Sequence, residues 1–251
     1  MLHRRISQFL IIYLSGLALL LLLKYILNLS DYVIPGPAEI RQTCTDVSGS
    51  YFFDVLNTFY VAVFGQIISI CMAFMVGVIG RQATWFGSFV KVTAYNVQAY
   101  PIVAIAPIIF ILLGDGFVSR LLISAMICYF PMLLSVLGIM SEPVMDIEHF
   151  YRSTGRMRWQ LEIKIRAFEN MGKLITVITG SATLAMAGTI VAEFIAANTG
   201  IGYSIRIALY QSDLARILVA LFLIGFTLSI YQGLLEWSGH LVKKGWEGGG
   251  K

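Results

Sequence analysis

Covalent chemistry has few candidates in this chain. His3, His149 and His240 lie far apart, and no His-Glu-x-x-His pair is present to hold a metal. Cys44, Cys71 and Cys128 are odd in number and show no Cys-x-x-Cys spacing, so neither a zinc site nor a disulfide framework follows. No Gly-x-x-x-x-Gly-Lys-Ser/Thr loop cradles a nucleotide. What remains is hydrogen bonding. Polar side chains stand inside apolar runs, where each is costly unless it meets a partner or a ligand. These are Gln66; Tyr95, Asn96, Gln98 and Tyr100, just before Pro101; Ser124 and Tyr129; Thr176, Thr179, Ser181, Thr183 and Thr189; and Glu193. Such groups either contact a solute or bind helices together, and small neighbours such as Gly180, Ala182, Ala185 and Gly188 suit close helix contact. Glu193 reads as a gate at the end of its run or as a structural partner for Arg206. A second group is the charged stretch HFYRSTGRMRWQLEIKIRAF, residues 149–168, which interrupts the oily sequence around it.

The elements that must position these residues follow from composition. Of 251 residues, 58% are hydrophobic and 13% charged, whereas a soluble domain carries about 25% charged residues. The chain is therefore read as an all-α integral membrane protein with one transmembrane domain over 1–251. Six apolar runs, at about 9–27, 57–79, 89–113, 120–140, 172–194 and 214–237, approach the length needed to cross a bilayer. The first has a basic flank but no small-residue cleavage site, so it reads as an uncleaved helix. The net charge of +4 is dispersed and does not point to nucleic acid. Instead, Lys and Arg concentrate in the segments that lie inside if both termini are cytoplasmic. Only Arg41, Arg120, Arg206 and Arg216 then lie outside, and Lys24 snorkels from the first span. In the first outer loop, IPGPAEI is a proline-fixed segment leading into a short helix from about Ala38.

This orientation puts the charged stretch in the cytoplasm. Ile147, Phe150, Tyr151 and Thr154 share one helical face, and Met157, Leu161, Ile165 and Phe168 share another. Gly155 tolerates backbone angles that other residues avoid, so it marks a corner between two short amphipathic helices. Such an element lies on the membrane surface, docks into a groove on a cytoplasmic partner, or is a plain solvated connection.

STGRMRWQLEIKI resembles the cytoplasmic coupling loop of binding-protein-dependent ABC transporter permeases. That family's pattern is Glu-Ala-Ala, three residues, Gly, nine residues, Ile, one residue, Leu-Pro. Gly155 and Ile165 fall at its spacing; His149, Phe150 and Tyr151 replace Glu-Ala-Ala, and Ala167 and Phe168 replace Leu-Pro. Other segments resemble the nitrate, sulfonate and taurine branch in a consistent order: IPGPAEI; YPIVAIAPIIFILLGDG with Pro101, Pro107, Gly114 and Gly116; YFPMLLSVLGIM; and VAEFIAANTGIGYSI with Glu193, Gly200, Gly202 and Tyr203.

The resemblance implies a multi-pass permease of the bacterial inner membrane, paired with a second permease copy, identical or related. A cytoplasmic ABC ATPase dimer would bind the coupling loop at about 146–169, and an extracytoplasmic solute-binding protein would deliver the solute. Carried over to this sequence, Gly155 forms the bend and Ile165 anchors the second helix. Phe150, Tyr151, Met157 and Leu161 supply apolar contact, and Arg152, Arg156 and Arg158 form a rim. ATP hydrolysis is then expected on a separate subunit, with no cofactor or metal on this chain. Without the family's proline, the helix break is expected between Phe168 and Gly172, with Asn170 as N-cap. The translocation pathway is expected to include Asn96, Gln98, Tyr100, Tyr129, Thr179, Thr183 and Glu193. Amide and aromatic groups suit a neutral or heteroaromatic solute such as a vitamin precursor; nitrate, a sulfonate or taurine would want cations along the path. Two other classes stand beside this one: a divergent permease that acts only as a heterodimer partner, and an intramembrane enzyme, which would need a nucleophile–base set that these spans lack.

Overall fold

The computed structural model describes residues 2–82, 84–99, 101–141 and 166–248. All regular structure among them is helical: α1 (Leu2–Ile26), α2 (Pro37–Gln82), α3 (Thr84–Ala99), α4 (Ile102–Leu113), α5 (Phe117–Ser141), α6 (Arg166–Glu169), α7 (Met171–Ile195), α8 (Ile201–Tyr210) and α9 (Leu214–Gly248). A helix satisfies its own backbone polar groups, which hydrocarbon surroundings require. Five helices, α1, α2, α5, α7 and α9, are long and apolar enough to span a membrane; the pair α3 and α4 makes a sixth if counted as one broken span.

Three local expectations change. The short helix from Ala38 and the span over 57–79 are one helix of 46 residues. Pro37 suits a first helical position, and nothing after it in α2 removes a backbone donor. Ser48, Gly49 and Ser50 are weak helix formers but do not break it. The single run over 89–113 is instead two helices meeting at 88°. Pro101 stands at the N-cap of α4 with φ −68° and ψ 108°, extended rather than helical. Pro107 lies inside α4 without ending it. The third change is at Asn170. It separates α6 from α7, where the break was expected, but its side chain makes no capping bond. Its carbonyl accepts the Leu174 N–H at 3.0 Å, the ordinary first bond of α7.

The centre of the bundle is α2, α5 and α7. Small residues let these backbones approach, as membrane helices require in the absence of a strong hydrophobic drive between them. A Cβ added to Gly188 would sit 3.1 Å from both Ser124 Cα and Ile127 Cβ. Ser124 Oγ donates to the Ala185 carbonyl across this contact at 2.9 Å. Ser69 Oγ lies 2.8 Å from the carbonyl oxygens of Gly65 and Ala125. Helix α1 is peripheral and contains no buried residue. It runs antiparallel to α9 and holds it through Phe9 and Tyr13, which meet the Phe222 ring at 5.8 and 5.1 Å. Large apolar residues such as Ile11, Ile12 and Leu19 stay exposed on α1, as a lipid-facing surface would have them.

The Gly188 contact generates a prediction. Gly188→Leu must overpack a backbone interface and should destabilise by about 1–3 kcal/mol. Gly138→Ala on α5, where an added Cβ meets nothing within 4 Å, should be neutral or stabilising by up to about 1 kcal/mol. Thermal unfolding midpoints in detergent check both. Equal midpoints for the two variants would refute the packing account.

Candidate functional site

Polar contacts inside the bundle fall into layers. The first lies at the α8 end, around Glu193, which is fully buried near the C-terminus of α7. Arg120, in the first turn of α5, donates from Nη1 to Glu193 Oε1 at 3.2 Å and to Asn57 Oδ1 at 3.3 Å. Thr58 on α2 donates to Glu193 Oε2 at 2.7 Å and accepts the Ile201 N–H at 2.9 Å. The Gly202 N–H donates to Glu193 Oε2 at 3.1 Å. Thus one carboxyl group ties together α2, α5, α7 and the start of α8. The N-terminal N–H groups of α8 have no partner within their own helix, and here Glu193 and Thr58 supply two of the acceptors. Gly200 enters α8 with φ 92°, in the left-handed region that favours glycine. A side chain at Gly200 would also collide with the Glu193 carboxyl. Beside this layer, Ser204 Oγ donates to Asp54 Oδ2 at 2.6 Å, a second tie between α8 and α2.

The expected Glu193–Arg206 pairing is replaced. Arg206 donates to the backbone carbonyls of Phe194 at 3.2 Å and Ala197 at 2.7 Å, and its guanidinium lies 5.2 Å from the Tyr203 ring centroid. Arg120 reaches the carboxylate because α5 begins beside the end of α7, while Arg206, two turns into α8, points back along the chain. Lys24, expected as the cation within the spans, pairs with Asp31. Arg120 is the buried cation among the described residues.

A second layer crosses the middle. The buried Gln66 amide on α2 donates to the Ile178 carbonyl at 2.8 Å and to Ser181 Oγ at 2.9 Å. Its oxygen accepts from the Tyr231 hydroxyl on α9 at 2.7 Å. Next to it, Gln232 Nε2 donates to Thr183 Oγ1 at 2.8 Å and to the Thr179 carbonyl at 3.3 Å. Toward the chain termini this layer opens into a cavity of about 380 Å³ between α1, α7 and α9. Arg5 and Glu236, paired at 3.2 Å, stand in its wall.

The expected pathway residues do not form one cluster. Thr179 is buried and Thr183 exposed on neighbouring turns of α7. Asn96 and Gln98 are exposed on α3, away from the buried layers. Tyr129 is half-buried on α5, with its ring edge-on to Phe130 at 5.0 Å. Glu193 lies in the α8-end layer. Tyr100 is outside the described residues, as are Phe150, Tyr151, Arg152, Gly155, Arg156, Arg158, Leu161 and Ile165 of the expected coupling loop. The sequence marks Arg120 only as an outer charge and does not set Thr58, Tyr231 or Gln232 apart. One signal was present for Arg120: it opens an apolar run at the same end at which Glu193 closes one. No group of His, Cys, Asp and Glu among the described residues is arranged to hold a metal.

Residues 67–243 match the family described as the binding-protein-dependent transport system inner membrane component. The chain belongs to this family. Members of this family are the membrane components of binding-protein-dependent transport systems. The permease is 39% identical over 143 residues to the riboflavin transport system permease protein RibX of Chloroflexus aurantiacus, a match covering 55% of this chain and 53% of that protein. It therefore spans about half the length of that relative. It is 23% identical over 186 residues to the formylaminopyrimidine transport permease protein ThiX of Halalkalibacterium halodurans, covering 72% and 73% of the two chains.

The Arg120–Glu193 pair is buried on both sides, at 8% and 0% side-chain exposure. Removing one partner leaves the other charge uncompensated, at a cost of about 3–5 kcal/mol. Arg120→Met in the permease should therefore lower the unfolding midpoint sharply. Arg120→Met combined with Glu193→Leu should recover much of the loss, because no lone charge remains. A double variant as unstable as the sum of the two single variants would refute the pairing.

Proposed function

We propose that this permease forms the membrane pathway of an importer for a planar heteroaromatic solute, a vitamin or vitamin precursor, driven by a separate cytoplasmic ABC ATPase dimer. The observation that carries the reading is the likeness to permeases whose names specify riboflavin and formylaminopyrimidine. The interior is consistent with it. Among the described residues the buried cation, Arg120, is already committed to Glu193 and Asn57. A small anion such as nitrate or taurine's sulfonate would need an available cation along its path. Hydroxyl and amide groups suit a neutral ring with donors and acceptors of its own.

In this reading Thr179 and Thr183, joined by Gln232, belong to the pathway, Asn96, Gln98 and Tyr129 contribute to it from α3 and α5, and Tyr100, next to Pro101 in the sequence, is assigned to it as well. Glu193 acts as a clamp for α8 rather than as a moving gate. The stretch 146–169 docks on the ATPase, with Gly155 at its corner. A second permease copy completes the pathway, and a solute-binding protein delivers to the α8 end. The basic segments at the termini and in 146–169 support a cytoplasmic position for that opposite end.

The test is uptake into proteoliposomes holding the permease, its ATPase and its binding protein. ATP-dependent uptake of riboflavin or formylaminopyrimidine, with none of nitrate or taurine, is expected; the opposite preference would overturn the substrate class. Gly155→Pro or Ile165→Asp should leave the permease in the membrane yet abolish co-purification of the ATPase. Normal co-purification and uptake with both variants would refute the coupling role.

A further inference from the structure

We infer that the cavity between α1, α7 and α9 is a binding subsite for the transported solute in the half of the membrane nearest the chain termini, lined by groups that hydrogen-bond a polar ring. This rests on the vitamin-type reading above and adds to it a place and a set of contacts. The volume of about 380 Å³ falls in the range of small-molecule sites, roughly 300–1,000 Å³.

The wall has three chemical features. The first is a wall rich in hydrogen-bonding groups: Arg5 on α1 and Glu236 on α9 pair across 3.2 Å, and His240 and Lys243 of α9 line the same cavity. The second is a stretch of α7 with short side chains. Gly172, Thr176 and Gly180 line the cavity one turn apart, and an added Cβ at either glycine would meet nothing within 4 Å. A ring can therefore approach the α7 backbone closely on either side of Thr176. The third is an unsatisfied group. Thr179 lines the cavity and is 4% exposed, and its hydroxyl has no hydrogen-bond partner among the described residues. A buried hydroxyl without a partner is costly. Threonine in a helix divides between two χ1 rotamers, and turning from one to the other exchanges hydroxyl for methyl and can bring the hydroxyl to a bound acceptor. The Gln232 amide, held against the Thr179 carbonyl and Thr183 Oγ1, fixes the adjoining wall.

A phospholipid is the competing occupant, since the cavity lies beside the peripheral helix α1. Its acyl chains would need an apolar wall, and Ile175 is the one large apolar side chain in the lining. The lining is polar well into the bundle, as far as Thr179 and Gln232, which favours a polar ring over a lipid tail.

The test uses the complete transporter in proteoliposomes, with riboflavin and formylaminopyrimidine as probes. Thr179→Val keeps the shape and removes the hydroxyl; Thr179→Ser keeps the hydroxyl; Gln232→Leu removes the amide. Thr179→Val and Gln232→Leu should each raise KM for uptake of the transported ring about fivefold to tenfold, the effect of one lost hydrogen bond, with unfolding midpoints near wild type. Thr179→Ser should stay within about twofold of wild-type KM. Wild-type protein that carries neither ring sinks the vitamin reading and this inference with it. Wild-type protein that carries one of them, with all three variants at wild-type KM, sinks the inference alone. Loss of a co-purifying phospholipid from Thr179→Val, with uptake unchanged, would assign the cavity to lipid and overturn the proposal.

Discussion

A carboxyl group buried inside a membrane bundle sets the terms for everything near it. Glu193 has no exposed surface, and hydrocarbon offers no water to replace missing partners. Its neighbours are accordingly committed: Arg120 from the first turn of α5, Thr58 from α2 and the Gly202 amide from the start of α8. The chain between α7 and α8 has to turn back sharply for that amide to arrive, and Gly200 supplies the positive φ that the turn needs. Four helices are positioned by the requirement of one side chain. Replacing the cluster with well-packed apolar groups would often cost little in stability. Its value here is the single arrangement it selects.

The remaining polar groups work differently. Gln66, Ser181 and Tyr231 satisfy one another between α2, α7 and α9. Ser69 and Ser124 bond to carbonyls of neighbouring helices where small residues let backbones touch. These bonds hold the helices in register. The α7 face carrying Gly172, Thr176, Gly180 and Thr183 is different again: it is exposed, small and polar, unlike the aliphatic surface of α1. Within one helix, the packing side and the solvent-accessible side are both built from Ser, Thr and Gly, and composition alone does not separate them.

That limit explains what the sequence made legible. Helical class, the apolar runs and the family resemblance were readable because each is a property of a local window. Glu193 was readable as a significant carboxylate because it ends an apolar run. Its partner was not, since choosing Arg120 over Arg206 depends on which helix ends share a level in the bundle. The break near Asn170 was readable from the residue type, whereas the missing capping bond depends on the packing around a buried amide, which the local sequence does not contain. The continuity of α2 was hidden by Ser48, Gly49 and Ser50, whose weak propensities were outweighed by the long apolar helix they join. Thr179 was legible as a polar residue in a span; that its hydroxyl lacks a partner is a property of packing, which no window of sequence contains.

The length of α2 has a mechanical consequence. Forty-six residues at a rise of about 1.5 Å span about 69 Å, more than twice the roughly 30 Å of a bilayer's hydrocarbon. Asp54 and Thr58 on this rod grip α8, whereas Gln66 and Ser69, two to three turns further along, grip α7 and α5. A tilt of α2 about the contacts in its middle would swing its two ends in opposite directions. The same rod that ties α8 into the bundle would then act as a lever between its two ends.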